Sequence, residues 1–289
     1  MGISADSADF GRAALPLRSG TAMPAIGFGT WRMGEDPSAA ADEIAALRRA
    51  HDRGFRHFDT AEMYGEGESE RLLGHALSGL PRDELFLTSK FYPYHARSDQ
   101  VISACERSLA RLGTDHLDLY LLHWPGGTPF EETLEGAERL LSSGKIAAFG
   151  ISNFDAQEMV ALEVAGLTER ISVNQVLYNP ARRGIEFDLL PWLTERGMVC
   201  VAYTPIEPDR LGRSAAFCEV AREAGCTPAE LALAWHMTHA MACPIPKSAT
   251  PAHVDALADA AAMRLSADVM AAIDAVYPPP DAPLPLEIL

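Results

Sequence analysis

Eight short apolar runs follow one another along the chain, and a segment with helical character separates each run from the next. The runs are Ala25–Thr30, Arg56–Thr60, Leu85–Lys90, Leu117–His123, Ala147–Ser152, Ser172–Val176, Val199–Tyr203 and Cys243–Pro246. Their ends lie about 24 to 43 residues apart, which leaves room for a strand, a crossover helix and two loops, as parallel strands require. The pattern predicts a single α/β domain over residues 1–289, built as a (β/α)8 TIM barrel.

Helix boundary signals support this alternation. Pro37 begins the segment after the first apolar run, and Gly54 follows its end. Thr227-Pro228-Ala229-Glu230 has the pattern of a capping box with proline at the first helical position. The alternative is an open doubly wound sheet, which often carries a Gly-x-Gly-x-x-Gly phosphate-binding turn. No such motif occurs in the chain, so the barrel is favoured.

Two segments lie outside the eight strand–helix units. Leu15-Pro16-Leu17 and Met23-Pro24 flank the polar residues 18–21, which predicts an N-terminal hairpin closing the bottom of the barrel. From Pro278 onward the tail contains several closely spaced prolines. We therefore expect it to form an extended strap rather than a helix.

Charge and cysteine usage restrict the partners of the protein. A formal net charge of −16 argues against binding nucleic acid or an anionic membrane surface. The five cysteines include no Cys-x-x-Cys pair, so we expect reduced thiols. No apolar stretch approaches the roughly 20 residues of a membrane span, and residues 1–12 do not resemble a secretory signal. These features predict a cytoplasmic protein.

Polar residues occur where the predicted strands end. Asp59, Lys90 and His123 each lie at the end of one apolar run, and Tyr64 follows in the loop after Asp59. Active sites of such barrels lie at the carboxyl ends of the strands. A lysine close to a tyrosine favours the phenolate, and a carboxylate can hold the lysine charge. This combination predicts proton transfer to an oxygen that gains negative charge.

At these residues the sequence resembles the aldo-keto reductase family. The matching segments, in chain order, are Gly27-Phe-Gly-Thr-Trp31, Phe58-Asp-Thr-Ala-Glu-Met-Tyr-Gly65, Leu87-Thr-Ser-Lys90, Leu117-Asp-Leu-Tyr-Leu-Leu-His-Trp124, Gly144-Lys-Ile-Ala-Ala-Phe-Gly-Ile-Ser-Asn-Phe154, Asn174-Gln175 and Ile245-Pro-Lys-Ser248. The segments extend along nearly the whole chain. The short loops are similar to those of bacterial members that act on small carbonyls such as methylglyoxal.

The resemblance implies an NADP-dependent reductase of small aldehydes and ketones. It implies a catalytic tetrad of Asp59, Tyr64, Lys90 and His123, with Tyr64 as general acid. Its cofactor-binding residues would be Gly29, Thr30, Trp31, Asp59, Ser152, Asn153, Gln175, Tyr203, Thr204, Pro205, Arg210, Lys247, Ser248 and His253. Its substrate pocket would be lined by Trp31, Tyr64, Phe91, Tyr92, His123 and Trp124.

The sequence departs from the family pattern near the adenosine end of the cofactor. The arginine that often follows the phosphate-binding lysine by six positions is His253, and the usual Glu-Asn pair is Ala256-Leu257. Histidine lacks the bidentate fork that suits a phosphate. Lys247 and Ser248 still favour NADPH, and NADH is possible. Arg210 and Arg213 either cover the pyrophosphate or are solvated loop charges.

Other interpretations remain open at this level. One is a cofactor-binding regulatory or sensing barrel with little turnover, and another is an aldolase or isomerase with a Schiff base on Lys90. His236 and His239 lie three residues apart without an acidic partner, so we expect helix-face residues and no metal site. The acidic run from Glu62 to Glu70 is expected to be solvated. A monomer is expected from the resemblance.

Overall fold

The computed structural model describes residues 10–289. Two short antiparallel strands precede a sheet of eight parallel strands. The hairpin strands are β1 (Leu15–Pro16) and β2 (Ala22–Met23). The parallel strands are β3 (Gly27–Gly29), β4 (His57–Asp59), β5 (Phe86–Phe91), β6 (Leu119–Leu122), β7 (Phe149–Ser152), β8 (Ile171–Leu177), β9 (Val199–Tyr203) and β10 (Ala242–Pro244). Each predicted strand is present, with bounds that differ by a few residues.

The parallel strands close into a barrel. Consecutive strands are neighbours from β3 to β10, and the chain after β10 returns to β3. The Gly29 N–H donates a hydrogen bond to the Pro246 carbonyl at 2.8 Å, which joins the two ends of the sheet. A β-carbon on Gly29 would lie 3.0 Å from the Ile245 carbonyl oxygen, so glycine permits this approach. The predicted (β/α)8 barrel with its N-terminal hairpin is confirmed.

Helices follow the strands and form the outer layer. Their bounds are α1 (Ala40–Asp52), α2 (Glu68–Leu77), α3 (Ser98–Leu112), α4 (Phe130–Ser142), α5 (Ala156–Val164), α6 (Leu189–Glu195), α7 (Pro208–Leu211), α8 (Ala215–Glu223), α9 (Pro228–His236), α10 (Pro251–Ala262) and α11 (Ala267–Val276). Thr227 and Glu230 form the expected capping box on α9. Across the described residues, no helix has both the length and the apolar character needed to cross a bilayer.

Strand alternation divides the apolar core into two layers. Side chains that point into the barrel, such as Leu119, Leu121 and Val201, form one cluster. Leu17 and Met23 of the hairpin region join this cluster and close the barrel at its amino-terminal end. Side chains that point outward pack against the helices in a larger second cluster. Apolar side chains therefore fill the lower interior, and polar groups collect at the open, carboxyl end of the strands.

The tail after α11 has no regular secondary structure and crosses the surface as the expected strap. Two consecutive arginines in the loop after β8 hold it. Arg183 donates hydrogen bonds to the Asp274 carboxylate at 2.6 Å and the Tyr277 carbonyl at 2.7 Å, at the start of the strap. Arg182 forms an ion pair with Glu287 near its end. The strap ends beside Tyr203, whose hydroxyl lies 3.5 Å from the Leu289 backbone nitrogen.

The substitution Gly74→Ala tests how closely α2 and α3 must pack. A β-carbon there would lie 2.5 Å from the Leu112 carbonyl oxygen, so we expect Gly74→Ala to push the two helices apart. Because the clash is with a backbone atom, we expect a cost of about 2–3 kcal/mol, in the upper part of the range for overpacking, of which the higher helix propensity of alanine offsets about 1 kcal/mol. Urea unfolding followed by tryptophan fluorescence measures the change. Gly127→Ala is the matched control, because no atom lies within 4 Å of its added methyl group. Equal stability of the two variants would contradict this packing.

Candidate active site

A buried ion pair lies at the carboxyl end of two adjacent strands. Asp59 is the last residue of β4, and Lys90 lies one residue before the end of β5. The Lys90 Nζ donates a hydrogen bond to Asp59 Oδ1 at 2.5 Å, and the two side chains are only 0% and 1% exposed. Charged groups are stable in such a place only when they are paired and hydrogen bonded.

Lys90 also connects this pair to the loop after β4. Its Nζ donates to the Thr60 carbonyl at 2.9 Å and lies 3.1 Å from the Tyr64 hydroxyl. The rings of Tyr64 and His123 meet edge to face, with centroids 5.8 Å apart. The structure therefore brings the four predicted catalytic side chains together at one end of the barrel.

The protonation states follow from burial and from these contacts. Burial raises the pKa of Tyr64 above its ordinary value, although Lys90 acts in the opposite direction, so the phenol is protonated at neutral pH. Burial alone would lower the pKa of Lys90, but Asp59 and Tyr64 outweigh it and keep the amine charged. Burial, and then the Lys90 charge, lower the pKa of His123 well below its ordinary value. The site thus holds a neutral phenol and a neutral imidazole beside an ammonium.

Four further predicted residues form a polar cluster next to the ion pair. The Gln175 side chain donates to Asp59 Oδ2 at 2.9 Å, and the Ser152 hydroxyl donates to the Gln175 carbonyl at 2.8 Å. Asn153 Nδ2 donates to the His123 carbonyl at 3.2 Å, and the Tyr203 hydroxyl donates to Asn153 Oδ1 at 3.0 Å. These side chains come from the ends of β7, β8 and β9. They present amide and hydroxyl groups along one side of the barrel mouth.

Three of the predicted cofactor residues also make structural contacts. Gly29 closes the barrel, as described above, and the buried Thr30 hydroxyl donates to the Asp59 carbonyl at 3.0 Å. Thr204 has a left-handed backbone with φ of 51°, and its carbonyl accepts a hydrogen bond from Asn179. Pro205 follows and is buried. The chain thus turns sharply where β9 ends at the mouth.

Aromatic side chains line part of the mouth. Trp31 is 51% exposed, and Trp124 packs against His123 with ring centroids 5.0 Å apart. Tyr92 meets Trp124 edge to face at 5.8 Å. The prediction for Phe91 is wrong. Its ring is fully buried in the outer core layer, because strand alternation points it outward when its neighbour Lys90 points inward.

The residues predicted to bind the phosphate lie after β10 and β9. The half-buried Lys247 forms no ion pair with any of residues 10–289, despite the acidic character of the chain. The Ser248 hydroxyl donates to the Thr250 carbonyl at 3.2 Å, at the start of α10. His253 and Arg210 are exposed. An unpaired ammonium beside a hydroxyl and a helix amino terminus suits a phosphate group.

The expectation of a solvated acidic run from Glu62 to Glu70 is confirmed for Glu66 and Glu68, which are exposed, and is wrong for Glu62 and Glu70. Glu62 is 5% exposed and contacts His95 and Arg107, while Glu70 is fully buried and pairs with Arg111 at 2.5 Å. Their partners lie about 33 to 45 residues away in the chain, so no local pattern could have revealed the pairs.

The burial of some other polar side chains was not predicted from the sequence. His236 is the last residue of α9, as expected, and its side chain is fully buried, whereas His239 lies after the end of the helix. Arg182 pairs with Glu207 at 2.9 Å as well as with the strap, and neither residue carried a local sequence signal. Over residues 10–289, no group of His, Cys, Asp and Glu is arranged to hold a metal ion.

The fold and the site together define a class of barrel enzyme that supplies a proton to an oxygen atom as negative charge develops on it. The model of the Aldo/keto reductase family matches residues 25–212 and 207–278. The chain belongs to the aldo/keto reductase family.

Similar proteins include two bacterial reductases and a solved structure. Methylglyoxal reductase YeaE of Escherichia coli is 43% identical over 272 residues, covering 92% of this chain and 95% of that protein. Glyoxal reductase of Bacillus subtilis is 32% identical, covering 90% and 91%. A crystal structure of an aldo/keto reductase from Klebsiella pneumoniae, in complex with NADP and acetate, has a TM-score of 0.91 and 42% identity, covering 96% of this chain and all of that one.

Removing one partner of the buried ion pair should cost stability. In Lys90→Met, the Asp59 carboxylate would stay buried without its ammonium, so we expect a loss of about 3–5 kcal/mol in the free energy of unfolding. The double variant Asp59→Asn/Lys90→Met removes both charges and should recover most of that loss. Urea unfolding of both variants and the wild type measures the difference. A double variant less stable than Lys90→Met would contradict the assignment of a paired charge.

Proposed function

We propose that this protein reduces small aldehydes and ketones to alcohols, with NADPH as hydride donor and Tyr64 as proton donor. The observation that carries the proposal is the 3.1 Å contact between the Tyr64 hydroxyl and the Lys90 ammonium. Burial raises the pKa of this phenol, which keeps its proton in place at neutral pH. A phenol with an ordinary pKa of about 10 is a weak acid at neutral pH. An adjacent ammonium stabilises the phenolate that remains after the proton has left.

The side chains of the site have complementary roles in this reaction. A nicotinamide cofactor, when bound, would supply the hydride that the carbonyl carbon receives. The Tyr64 hydroxyl hydrogen bonds to the carbonyl oxygen and protonates it, while the neutral His123 ring orients the same oxygen without adding charge. Asp59 and Gln175 hold Lys90 in place: Asp59 contacts the amine directly, and Gln175 binds the second carboxylate oxygen.

The cofactor is proposed to lie across the mouth of the barrel. Ser152, Asn153 and Gln175 offer the amide and hydroxyl groups that suit a carboxamide, and the half-buried Tyr203 ring offers an aromatic face beside them. At the other end, Lys247 and Ser248 would hold the 2′-phosphate. The remaining proposed contacts come from the ends of β3 and β4, from the turns after β3 and β9, and from α7 and α10. They are Gly29, Thr30, Trp31, Asp59, Thr204, Pro205, Arg210 and His253.

Short 2-oxoaldehydes are the proposed substrates. Two relatives are named as reductases of methylglyoxal and glyoxal, which are both dicarbonyls of a few atoms. In this chain, Trp31, Trp124 and Tyr92 border the mouth, and Tyr64 and His123 lie at its floor. Aromatic walls around two hydrogen-bonding groups favour a small carbonyl compound over a highly charged one.

The proposed setting is the cytoplasm, with the protein as a monomer. All five cysteines are free thiols, and three of them are buried, which suits a reducing compartment. The four proposed catalytic residues come from one chain, so catalysis does not require a partner subunit.

The structure disfavours a Schiff base on Lys90. An imine-forming lysine must lose its proton before it attacks a carbonyl. Asp59 and Tyr64 instead keep the pKa of Lys90 above its ordinary value, and the amine makes three hydrogen bonds within the protein.

Tyr64→Phe tests the assignment of the general acid. The variant keeps the ring but has no proton to give, so we expect turnover of methylglyoxal to fall by about 10²-fold or more. NADPH binding, followed by tryptophan fluorescence, should change less than about twofold. Tyr277→Phe removes the hydroxyl of a tyrosine that packs on Phe217 outside the site, and it is the matched control. Wild-type turnover in Tyr64→Phe would remove Tyr64 from this role.

His253→Arg tests the proposed phosphate end of the site. A guanidinium binds phosphate bidentately, so the variant should bind NADPH about tenfold more tightly and bind NADH unchanged. Titration of both cofactors by fluorescence gives the two affinities. His75→Arg adds the same charge at an exposed position on α2 and should alter neither affinity. Equal gains for NADPH and NADH would place His253 away from the 2′-phosphate.

A further inference from the structure

The loop that carries Tyr64 is held by a buried carboxylate outside the catalytic tetrad. Residues 60–67 connect β4 to α2, and only a short helical turn occurs within them. Gly65, Glu66 and Gly67 all have left-handed backbone angles, with φ of 56°, 52° and 92°. Such a segment has little regular hydrogen bonding of its own, so contacts from outside must fix its position.

Glu62 supplies several of those contacts. Its backbone N–H donates to the Lys90 carbonyl at 3.1 Å, which continues the ladder between the loop and β5. One carboxylate oxygen then accepts the Tyr92 N–H at 2.8 Å, where the paired strand has ended. The backbone and side chain of Glu62 thus bind the main chain at Lys90 and at Tyr92, on the same edge of the strand and one residue to each side of Phe91.

The charge of Glu62 is balanced on its outer side. His95 Nδ1 lies 2.8 Å from the same carboxylate oxygen, and Arg107 of α3 lies 3.5 Å from the other. A carboxylate that is 5% exposed requires such partners. The cluster of Glu62, His95 and Arg107 therefore joins the catalytic loop to two elements that follow β5.

A second contact ties the same loop to the wall of the mouth. The Tyr92 hydroxyl donates to the Glu66 carboxylate at 3.0 Å, and the Tyr92 ring meets Trp124. Tyr92 therefore connects the loop that carries the phenol to the aromatic side chains of the mouth.

We infer that Glu62 is a positioning residue, which holds the Tyr64 loop against the end of β5 so that the phenol stays in contact with the Lys90 ammonium. The inference rests on the proposed role of Tyr64. Displacement of a reacting group by about 1 Å can lower the rate about 10²-fold, so a tether of this kind affects turnover directly.

Two variants of Glu62 test the inference. Glu62→Ala removes every side-chain contact and should lower kcat for methylglyoxal about 10- to 100-fold, with the NADPH Kd within about twofold of wild type. Glu62→Gln keeps an acceptor for the Tyr92 N–H and should recover a large part of the loss. Glu70→Gln is the matched control, because Glu70 is also buried and ion paired but contacts α3 and Ser89 instead of the loop. It should lower stability without changing kcat.

The pH dependence of kcat distinguishes a positioning role of Glu62 from a general loss of structure in the Glu62→Ala variant. Reduction needs a protonated Tyr64, so kcat falls as pH rises through the pKa of the phenol. Burial is the main cause that raises the pKa of Tyr64; Lys90 lowers that pKa, and Asp59 raises it. His123 also faces the ring, and Tyr203 lies nearby. A weaker Lys90 contact, with the Tyr64 ring still buried, should therefore move the basic limb of the Glu62→Ala profile to higher pH.

Three outcomes are distinguishable. A lower kcat with a shifted limb in Glu62→Ala, and neither change in Glu70→Gln, supports the inference. A wild-type kcat and pH profile in Glu62→Ala overturns it, even where Tyr64→Phe has abolished turnover. Full turnover in Tyr64→Phe overturns the proposed function itself, and the positioning role with it.

Discussion

The ion pair between Lys90 and Asp59 sets the conditions for the rest of the site. Both groups are almost completely removed from water, and the desolvation cost is met only by close pairing and further hydrogen bonds. Those bonds come from Gln175 on β8 and from the Thr60 carbonyl in the loop after β4. The pair can therefore exist only when strands far apart in the chain have closed into a barrel. Once formed, it places a fixed positive charge beside the Tyr64 hydroxyl.

The two ends of the barrel interior have opposite chemistry, and both follow from one rule of strand geometry. Alternate side chains point inward, and at the lower levels these are apolar and packed beneath the hairpin. At the carboxyl ends the inward positions are occupied by charged and amide side chains. The loops above them are held by partly buried ion pairs, such as that of Glu62 with His95 and Arg107 and that of Arg182 with Glu207 and Glu287. The site therefore lies above a packed apolar layer, and ion pairs hold the loops around it in place.

Local signals explain which expectations from the sequence succeeded. The strands are short apolar runs bounded by turns, and Asp59, Lys90 and His123 lie at the ends of three of them. Phe91 was misassigned because an apolar residue next to Lys90 fits either face of the strand, and alternation decides the face only once the direction of Lys90 is known. Glu62 was misassigned because its partners lie 33 and 45 residues away in the chain.

The order of strands and helices, the barrel and the residue types at the strand ends are determined by the sequence alone, since periodicity and turn residues act over a few positions. Only the tertiary structure decides which of those residues lose contact with water. Burial raises the pKa of Tyr64 and lowers that of His123. It also makes the pairing of Lys90 with Asp59, and that of Glu62 with His95, obligatory. Desolvation depends on every element packed around a group, and neighbours in the chain supply only a small part of them.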